Sequence, residues 1–546
     1  MNISKRISRG ILLGSAATLL VCASAAKADD LADLKAQIQL LNDRLNQLQA
    51  REDARSQAQA ATAAQQQQAQ AQVQAEVKLE TQDASLGTDA TPGQALAQQS
   101  TDGGKSVLGI LTNPVTLYDD KSTSMHMYGI IEATVSGWSN QPNASGNNKH
   151  TEAVGFQTAW LSGNRLGFDI DHSIKAGENI GLPGLKVIAK LETEFESPTG
   201  NSDTPGVFFN RDAWVGFESP DLGKLTFGRQ NTVTRDFTQT WGDSYGTPTV
   251  TLREGGYSNV NNYKQIIFYS AASTLTRNDS AIVWKKQFFD KHLVVGLDYA
   301  FGSQGVGGSG NGGIGNSPGL DGGGASPGKF FVGSNQAVSV AYNDLEIGDG
   351  KLSWNVNYDR ANCGNFGDNH CDASDPSAGN YINSNNNQAF LTGGTYVING
   401  WRVGAGYIRY DAQQHTTLRD LGNRTDNVWT VNGTIPVWRK QNIDLYWGVW
   451  EAFGHNAALY AGNNLVALPF FISTANSTKT VNGSRLNGMS TLMWHLDKQL
   501  DVYTAFDYQL GMGGWAHALF NNQGNGDAGN MGSLSIGLGS GFRFKF

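Results

Sequence analysis

Charge, cysteine and long apolar runs are all scarce in this 546-residue chain. Charged residues make up 16%, the formal net charge is -8, and no dense basic stretch occurs, which argues against a nucleic-acid partner. Beyond Ala28 no apolar run approaches the ~20 residues that a membrane-spanning helix needs. If the chain crosses a membrane, it does so as a closed β-barrel, whose alternating lipid-facing and water-facing residues average out as polar. One of the three cysteines, Cys22, falls in the first apolar stretch, leaving Cys363 and Cys371. Their spacing suits a small disulfide-closed loop, with His370 and Asp368 between them keeping a metal site as the alternative. The nine histidines are scattered, with no Gly-x-Ser-x-Gly elbow and no His-Glu-x-x-His pair. Gly305-x-Gly307-x-x-Gly310 fits a dinucleotide fingerprint by letter only, in a Gly-rich stretch with no helical pattern after it. No enzyme activity, cofactor or metal centre is expected.

What is present falls into four segments. Residues 1–28 read as a cleaved secretory signal: Lys5, Arg6 and Arg9, then an apolar centre, then Ala26-Lys27-Ala28. A lipidated Cys22 is the alternative, disfavoured by the bulky Val21 before it. In residues 29–53, Leu31, Leu34, Ile38, Leu41, Leu45 and Leu48 recur at spacings of three and four. This is a heptad seam, which predicts an α-helical coiled coil and therefore an oligomer. Residues 54–121 are Ala/Gln-rich and then carry Pro92, Gly93, Gly103 and Gly104, a flexible linker by composition. Residues 122–546 form the main domain.

That domain reads as all-β. About sixteen period-two segments follow Met125, each of the length that crosses a bilayer when tilted. Leu352, Trp354, Val356 and Tyr358 share one face, with Ser353, Asn355, Asn357 and Asp359 on the other. Leu534 to Phe546 alternates in the same way, with Phe542, Phe544 and Phe546 opposed to Arg543 and Lys545. Short links such as Gly348-Asp349-Gly350, Asn399-Gly400 and Asp497-Lys498 alternate with long polar ones around residues 139–163, 231–263, 302–334, 361–386, 454–482 and 511–531. Asn-Gly is a strong hairpin turn. Short turns on one rim and long loops on the other describe a transmembrane β-barrel of the outer-membrane kind. An even strand number places both ends of the domain, and hence the coil, on the short-turn side in the periplasm.

At this point the residues resemble the trimeric sixteen-stranded general porins of Gram-negative bacteria. The series runs through Met127-Tyr128-Gly129-Ile130-Ile131-Glu132, Gly163-Asn164-Arg165-Leu166-Gly167-Phe168, Gly184 to Glu192, Arg211-Asp212-Ala213-Trp214-Val215-Gly216 and Gly223 to Gln230. The terminal Phe546 completes it, while residues 29 to about 104 lie outside the common pattern. The resemblance implies a sixteen-stranded antiparallel transmembrane β-barrel in the outer membrane. It implies a homotrimer among outer-membrane lipid and lipopolysaccharide, with Phe546 as the signal read by the insertion machinery. It further implies that the third long loop folds inward, its acidic residues facing arginines on the wall. By motif the wall residues are Arg165, Arg229 and Arg277, and the loop acids are Asp236, Asp243 and Glu254. Simple alternation puts Arg229 on the Leu225 and Phe227 face, so a bulge near Gly228 is expected to turn it inward, a rim position being the alternative. The function so implied is passive diffusion of small hydrophilic solutes and ions. A channel selective for an anion, dicarboxylate or sugar is the alternative, as is a tether from outer membrane to peptidoglycan through the coil.

Overall fold

The computed structural model describes residues 39, 43, 114–141, 151–157, 160–203, 207–254, 277–301, 334–362, 386–412, 423–461, 464–467, 480–513, 515 and 534–546. Two compact units divide the chain, Met1–Asp102 and Gly103–Phe546. In the first unit the described residues are Gln39 and Asp43, both helical and exposed. The leader, the seam from Leu31 to Leu48, and the pair Cys363 and Cys371 lie outside the described residues.

The described residues of the second unit form one sheet of nineteen strands. In order these are β1 (Val115–Asp119), β2 (Thr123–Gln141), β3 (Thr151–Gln157), β4 (Asn164–Ser173), β5 (Lys186–Phe195), β6 (Asp212–Ser219) and β7 (Gly223–Asn231). A helix, α1 (Val233–Gly242), comes next. Then follow β8 (Arg277–Phe288), β9 (Leu293–Ala300), β10 (Asn335–Ile347), β11 (Gly350–Asn362), β12 (Asn386–Ile398) and β13 (Trp401–Ala412). The last are β14 (Arg424–Trp438), β15 (Ile443–Ala461), β16 (Asn464–Ala467), β17 (Thr480–His495), β18 (Leu500–Gly513) and β19 (Leu534–Lys545). Sixteen of them make a closed antiparallel wall in which neighbours in sequence are neighbours in space. The short β3 extends the pairing of β2 towards the long-loop rim, and β16 does the same for β15. β2 itself pairs with β4, and β15 with β17.

Closure occurs where β19 lies along β2, from Gly537 opposite Trp138 to Lys545 opposite Ile130. Because β19 ends there, the rest of that edge of β2 is taken by β1, with Val115 opposite Met127. The boundary expected from composition lies near residue 121. Five residues ahead of it are already strand, recruited by an open row of backbone groups that would otherwise go unpaired.

Parity sets the two surfaces. In β19, Leu538 is 55% and Phe542 49% exposed, while Ser535 is 2% and Arg543 5% exposed. The exposed apolar set belongs to the outer face of the barrel, and the small and charged set faces the lumen. The short links behave as their residues dictate. Asn399 and Gly400 both take positive φ, 49° and 80°, the pair that a two-residue type I′ hairpin requires.

Candidate functional site

Loop residues occupy the lumen. After β7, Thr232 caps α1 by accepting a hydrogen bond from the Arg235 backbone N–H at 3.1 Å, and all ten residues of the helix are buried. Wall side chains that point inward hold this segment. Trp241 Nε1 donates to Asn355 Oδ1 of β11 at 2.9 Å, and Asn355 Nδ2 donates to the Phe237 carbonyl at 3.0 Å. Further along, Asn343 of β10 grips both backbone groups of Val250, accepting at 3.0 Å and donating at 2.7 Å. Thr434 of β14 donates to the Ser244 carbonyl at 2.8 Å. The Trp241 ring rests on Gly393 of β12 and Gly406 of β13, where any Cβ would collide with it. Glycine at these two positions is what allows a bulky ring to lie against the wall.

The acidic residues of this loop meet a basic wall, but its bases are lysines. Glu254 pairs with Lys224 of β7, and with Lys190 of β5 at 3.6 Å. Asp236 pairs with Lys285 of β8 and accepts from Asn231 Nδ2 at 3.0 Å. Lys190 also reaches Asp212 of β6 at 3.5 Å. Burial alone would raise the Glu254 carboxyl; the ammoniums of Lys224, Lys190 and Lys285 outweigh it and hold the group well below the usual carboxylate range. Asp243, by contrast, ends α1: its N–H donates to the Gln239 carbonyl at 3.1 Å and its Oδ1 accepts from Tyr245 N at 2.9 Å.

The three arginines expected on the wall separate. Arg277 lies beside the cluster, 3.9 Å from Glu192 and 3.7 Å from Asp212. Arg165 is buried on β4 opposite Glu194 and donates from Nε to the Gly163 carbonyl at 3.0 Å. Arg229 stays away from the lumen. A register shift does occur beside Gly228, but two residues of β8, Asp279 and Ser280, face one of β7, so the extra residue lies on the partner strand. Arg229 keeps the parity of Phe227 and pairs with Asp279, donating also to the Asn210 carbonyl at 2.8 Å. Gln230, hydrogen-bonded to inward-facing Thr226, marks the lumen side.

Residues passed over as candidates complete the lining. Arg211 pairs with Glu192 and Glu194, and Tyr128 donates to Glu192 at 2.9 Å. Near the seam, Asp501 gathers Arg543 at 2.9 Å, Lys545 at 3.0 Å and His495 at 2.7 Å. The signal for Lys190, Lys224 and Lys285 was parity, since each alternates with apolar neighbours such as Leu191, Leu225 and Trp284. Their meeting with one loop was not readable from spacing.

A closed barrel with an apolar outer band, a charged lumen and a loop folded into it defines the class of outer-membrane β-barrels. Within that class the family is specific: residues 84–509 match the model of the Gram-negative porins, and the chain belongs to that family. An outer membrane porin protein of Bordetella pertussis is 25% identical over 168 residues, which is 28% of this chain and 40% of the relative. The chain thus spans less than half the length of the curated relative it matches. Among solved structures, the anion-selective porin of Comamonas acidovorans has a TM-score of 0.47 at 15% identity, covering 78% of this chain and all of that one. A trimer form of OmpT, an outer membrane protein of Vibrio cholerae, has a TM-score of 0.45 at 13% identity, with coverage of 78% and 100%.

Proposed function

We propose that the protein forms a water-filled outer-membrane channel for passive diffusion of small hydrophilic solutes and ions, as a homotrimer, narrowed by the loop that carries α1. The single observation that carries this reading is the loop itself. It lies inside the barrel, pinned by Asn343, Asn355 and Thr434, with Glu254 and Asp236 set against wall lysines. Opposed charges beside a narrow aqueous passage create a field across it, strengthened by low-dielectric walls, that favours polar solutes over apolar ones. Membership of the porin family supports the same reading. Phe546 is then the assembly signal, outer-membrane lipid and lipopolysaccharide surround the barrel, and the coil reaches into the periplasm towards peptidoglycan.

Purified protein added to a planar lipid bilayer should give stepwise ohmic conductance, with increments grouped in threes if the trimer inserts as a unit. Absence of conductance would overturn the channel. Single increments would overturn the trimer alone. The reversal potential in a salt gradient, measured in the same experiment, reports charge preference.

A further inference from the structure

The inner wall of β4 to β7 encloses a small cavity that the diffusion reading does not use. It measures about 70 Å³, and its lining includes Asp169, Lys186, Trp214, Glu218, Lys224 and Arg253. A water takes up ~30 Å³ of the liquid, so the space suits a few heavy atoms rather than a sugar ring. The register sets these residues on neighbouring strands. Asp169 of β4, Lys190 of β5 and Trp214 of β6 form one lateral row. Lys186 of β5, Glu218 of β6 and Lys224 of β7 form a second, nearer the short-turn rim. Arg253 is contributed by the inward-folded loop, next to Glu254.

Most charges here are already answered. Lys186 pairs with Asp171 at 3.1 Å, Lys224 with Glu254, and Lys190 with Asp212 at 3.5 Å and Glu254 at 3.6 Å. Glu218 has a lysine opposite it on each adjacent strand, Lys186 and Lys224. Two opposite charges are left. The Asp169 carboxyl, on a residue only 7% exposed, makes no hydrogen bond or ion pair among the described residues, and its Oδ1 is enclosed. The half-buried Arg253 guanidinium makes no ion pair there either. Trp214 Nε1 is a third such group, a buried donor without an acceptor. Burial of a carboxylate is costly unless a donor or a counter-charge meets it. A molecule that carries both an ammonium and a carboxylate answers all three groups at once.

We propose that this cavity is a binding subsite for α-amino acids, with Asp169 accepting from the ammonium group while Arg253 and Trp214 Nε1 donate to the carboxylate. Asp169 and Trp214 stand two strands apart in one row, about 10 Å between backbones. An amino-acid main chain with a hydrogen bond of ~2.9 Å at each end fills such a gap. Guanidinium–carboxylate and ammonium–carboxylate contacts are charge-assisted, the stronger kind of hydrogen bond. A metal ion would leave Arg253 and Trp214 unanswered, and among the described residues no group of three His, Cys, Asp or Glu is placed to hold one. The solute's own side chain leaves past Lys186 and Asp171, whose side chains are 46% and 33% exposed. The inference deepens the channel reading, on which its role in transport rests, by naming a class of solute.

The test is calorimetry of the full chain folded in detergent and titrated with glycine. Saturable binding at one site per chain is expected, with methylammonium and acetate, which carry one charge each, at least tenfold weaker. Asp169→Asn and Arg253→Gln should each weaken glycine binding by about tenfold or more, whereas Arg229→Gln should bind as the parent does. Should Asp169→Asn fail to fold, Arg253→Gln, on the loop, carries the test alone. No saturable glycine binding would mean that the cavity holds water only and would overturn the site. Parental affinity in the folded Asp169 and Arg253 variants would overturn it too. Methylammonium or acetate binding as tightly as glycine would overturn the assignment to amino acids. Calorimetry needs no conductance, so a channel that fails to conduct and a site that fails to bind are separate results.

Discussion

Gly129 and Phe546 exchange both of their backbone hydrogen bonds, N–H of Gly129 to the Phe546 carbonyl at 2.9 Å and N–H of Phe546 to the Gly129 carbonyl at 3.1 Å. One residue lies in the first of the porin-like motifs and the other completes their series. Their pairing is the last rung of the seam between β2 and β19, so the sheet is closed by residues that are the most distant in sequence. Such contacts are slow to form, because loop closure must come before they contribute.

Gly129 leaves little room for a side chain unless the Phe546 ring moves. A Cβ there would collide with the Phe546 ring and lie 3.0 Å from the Arg165 carbonyl. Gly129→Val should therefore cost about 1–3 kcal/mol at the seam and lower the yield of the compact, heat-modifiable form on unboiled gels. Deletion of Phe546 should also reduce insertion, while barrels that do insert keep parental conductance. Parental yield of both variants would remove the seam as a determinant of assembly.

The Glu254 carboxylate is set against two lysines, Lys224 and Lys190. Glu254→Gln removes the carboxylate that Lys224 pairs with and one of the two that Lys190 reaches, Asp212 being the other, and so adds net positive charge there. The reversal potential in a potassium chloride gradient should move towards anions, and Lys224→Gln should move it the other way. If neither variant shifts the potential, the cluster lies outside the conducting path.

Much of the barrel was legible because a strand has a period of two and a pore wall enforces it on both faces. The same rule marked Ser353, Asn355, Asn357 and Asp359 as one face, and Asn399-Gly400 as a turn. α1 was not legible. Its sequence, Val-Thr-Arg-Asp-Phe-Thr-Gln-Thr-Trp-Gly, is rich in β-branched residues of modest helix propensity, and its helix is sustained by packing against the wall. Arg229 shows where motif matching fails. An arginine that follows a strand at the right spacing still points where the local register sends it, and a bulge on β8 cannot be read from β7.

Arg229 should consequently be a poor lever on selectivity. Its partners are Asp279 and the Asn210 carbonyl, on the Phe227 side of β7. Arg229→Gln is expected to leave the reversal potential within error of the parent. A shift comparable to that of Glu254→Gln would place its charge in the passage.

The pH response follows from the same carboxylate. Glu254 is held below its ordinary range, so it remains ionised, and its pairs with lysine remain intact, as the pH falls from 7 through about 4.3, the unperturbed glutamate value. A carboxyl depressed by folding contributes stability that is fully present above the unfolded pKa and is lost as the pH falls through the folded one. Selectivity and thermal stability attributable to this pair should thus be flat between pH 7 and about 4.5, and should decline only in stronger acid. A change centred near pH 6 would require another group.

Trp241 is the side chain on which the position of α1 depends most. It is fully buried, rests on Gly393 and Gly406, and donates to Asn355 at 2.9 Å. Trp241→Ala removes that contact area and leaves Asn355 Oδ1 with one donor, Asn357, in place of two, a loss of about 3–5 kcal/mol by analogy with core truncations. The helix should then sample positions away from the wall, which single-channel recordings would register as excess open-state noise and altered conductance. Gly406→Val tests the same contact from the other side, since its side chain displaces the ring while Trp241 itself is kept. Agreement between the two variants would assign the narrowing to α1. Recordings as quiet as the parent's from both would mean that the loop is held without the ring, by Asn343, Asn355 and Thr434 and by the lysine pairs of Glu254 and Asp236, and that the ring is a passenger on the wall.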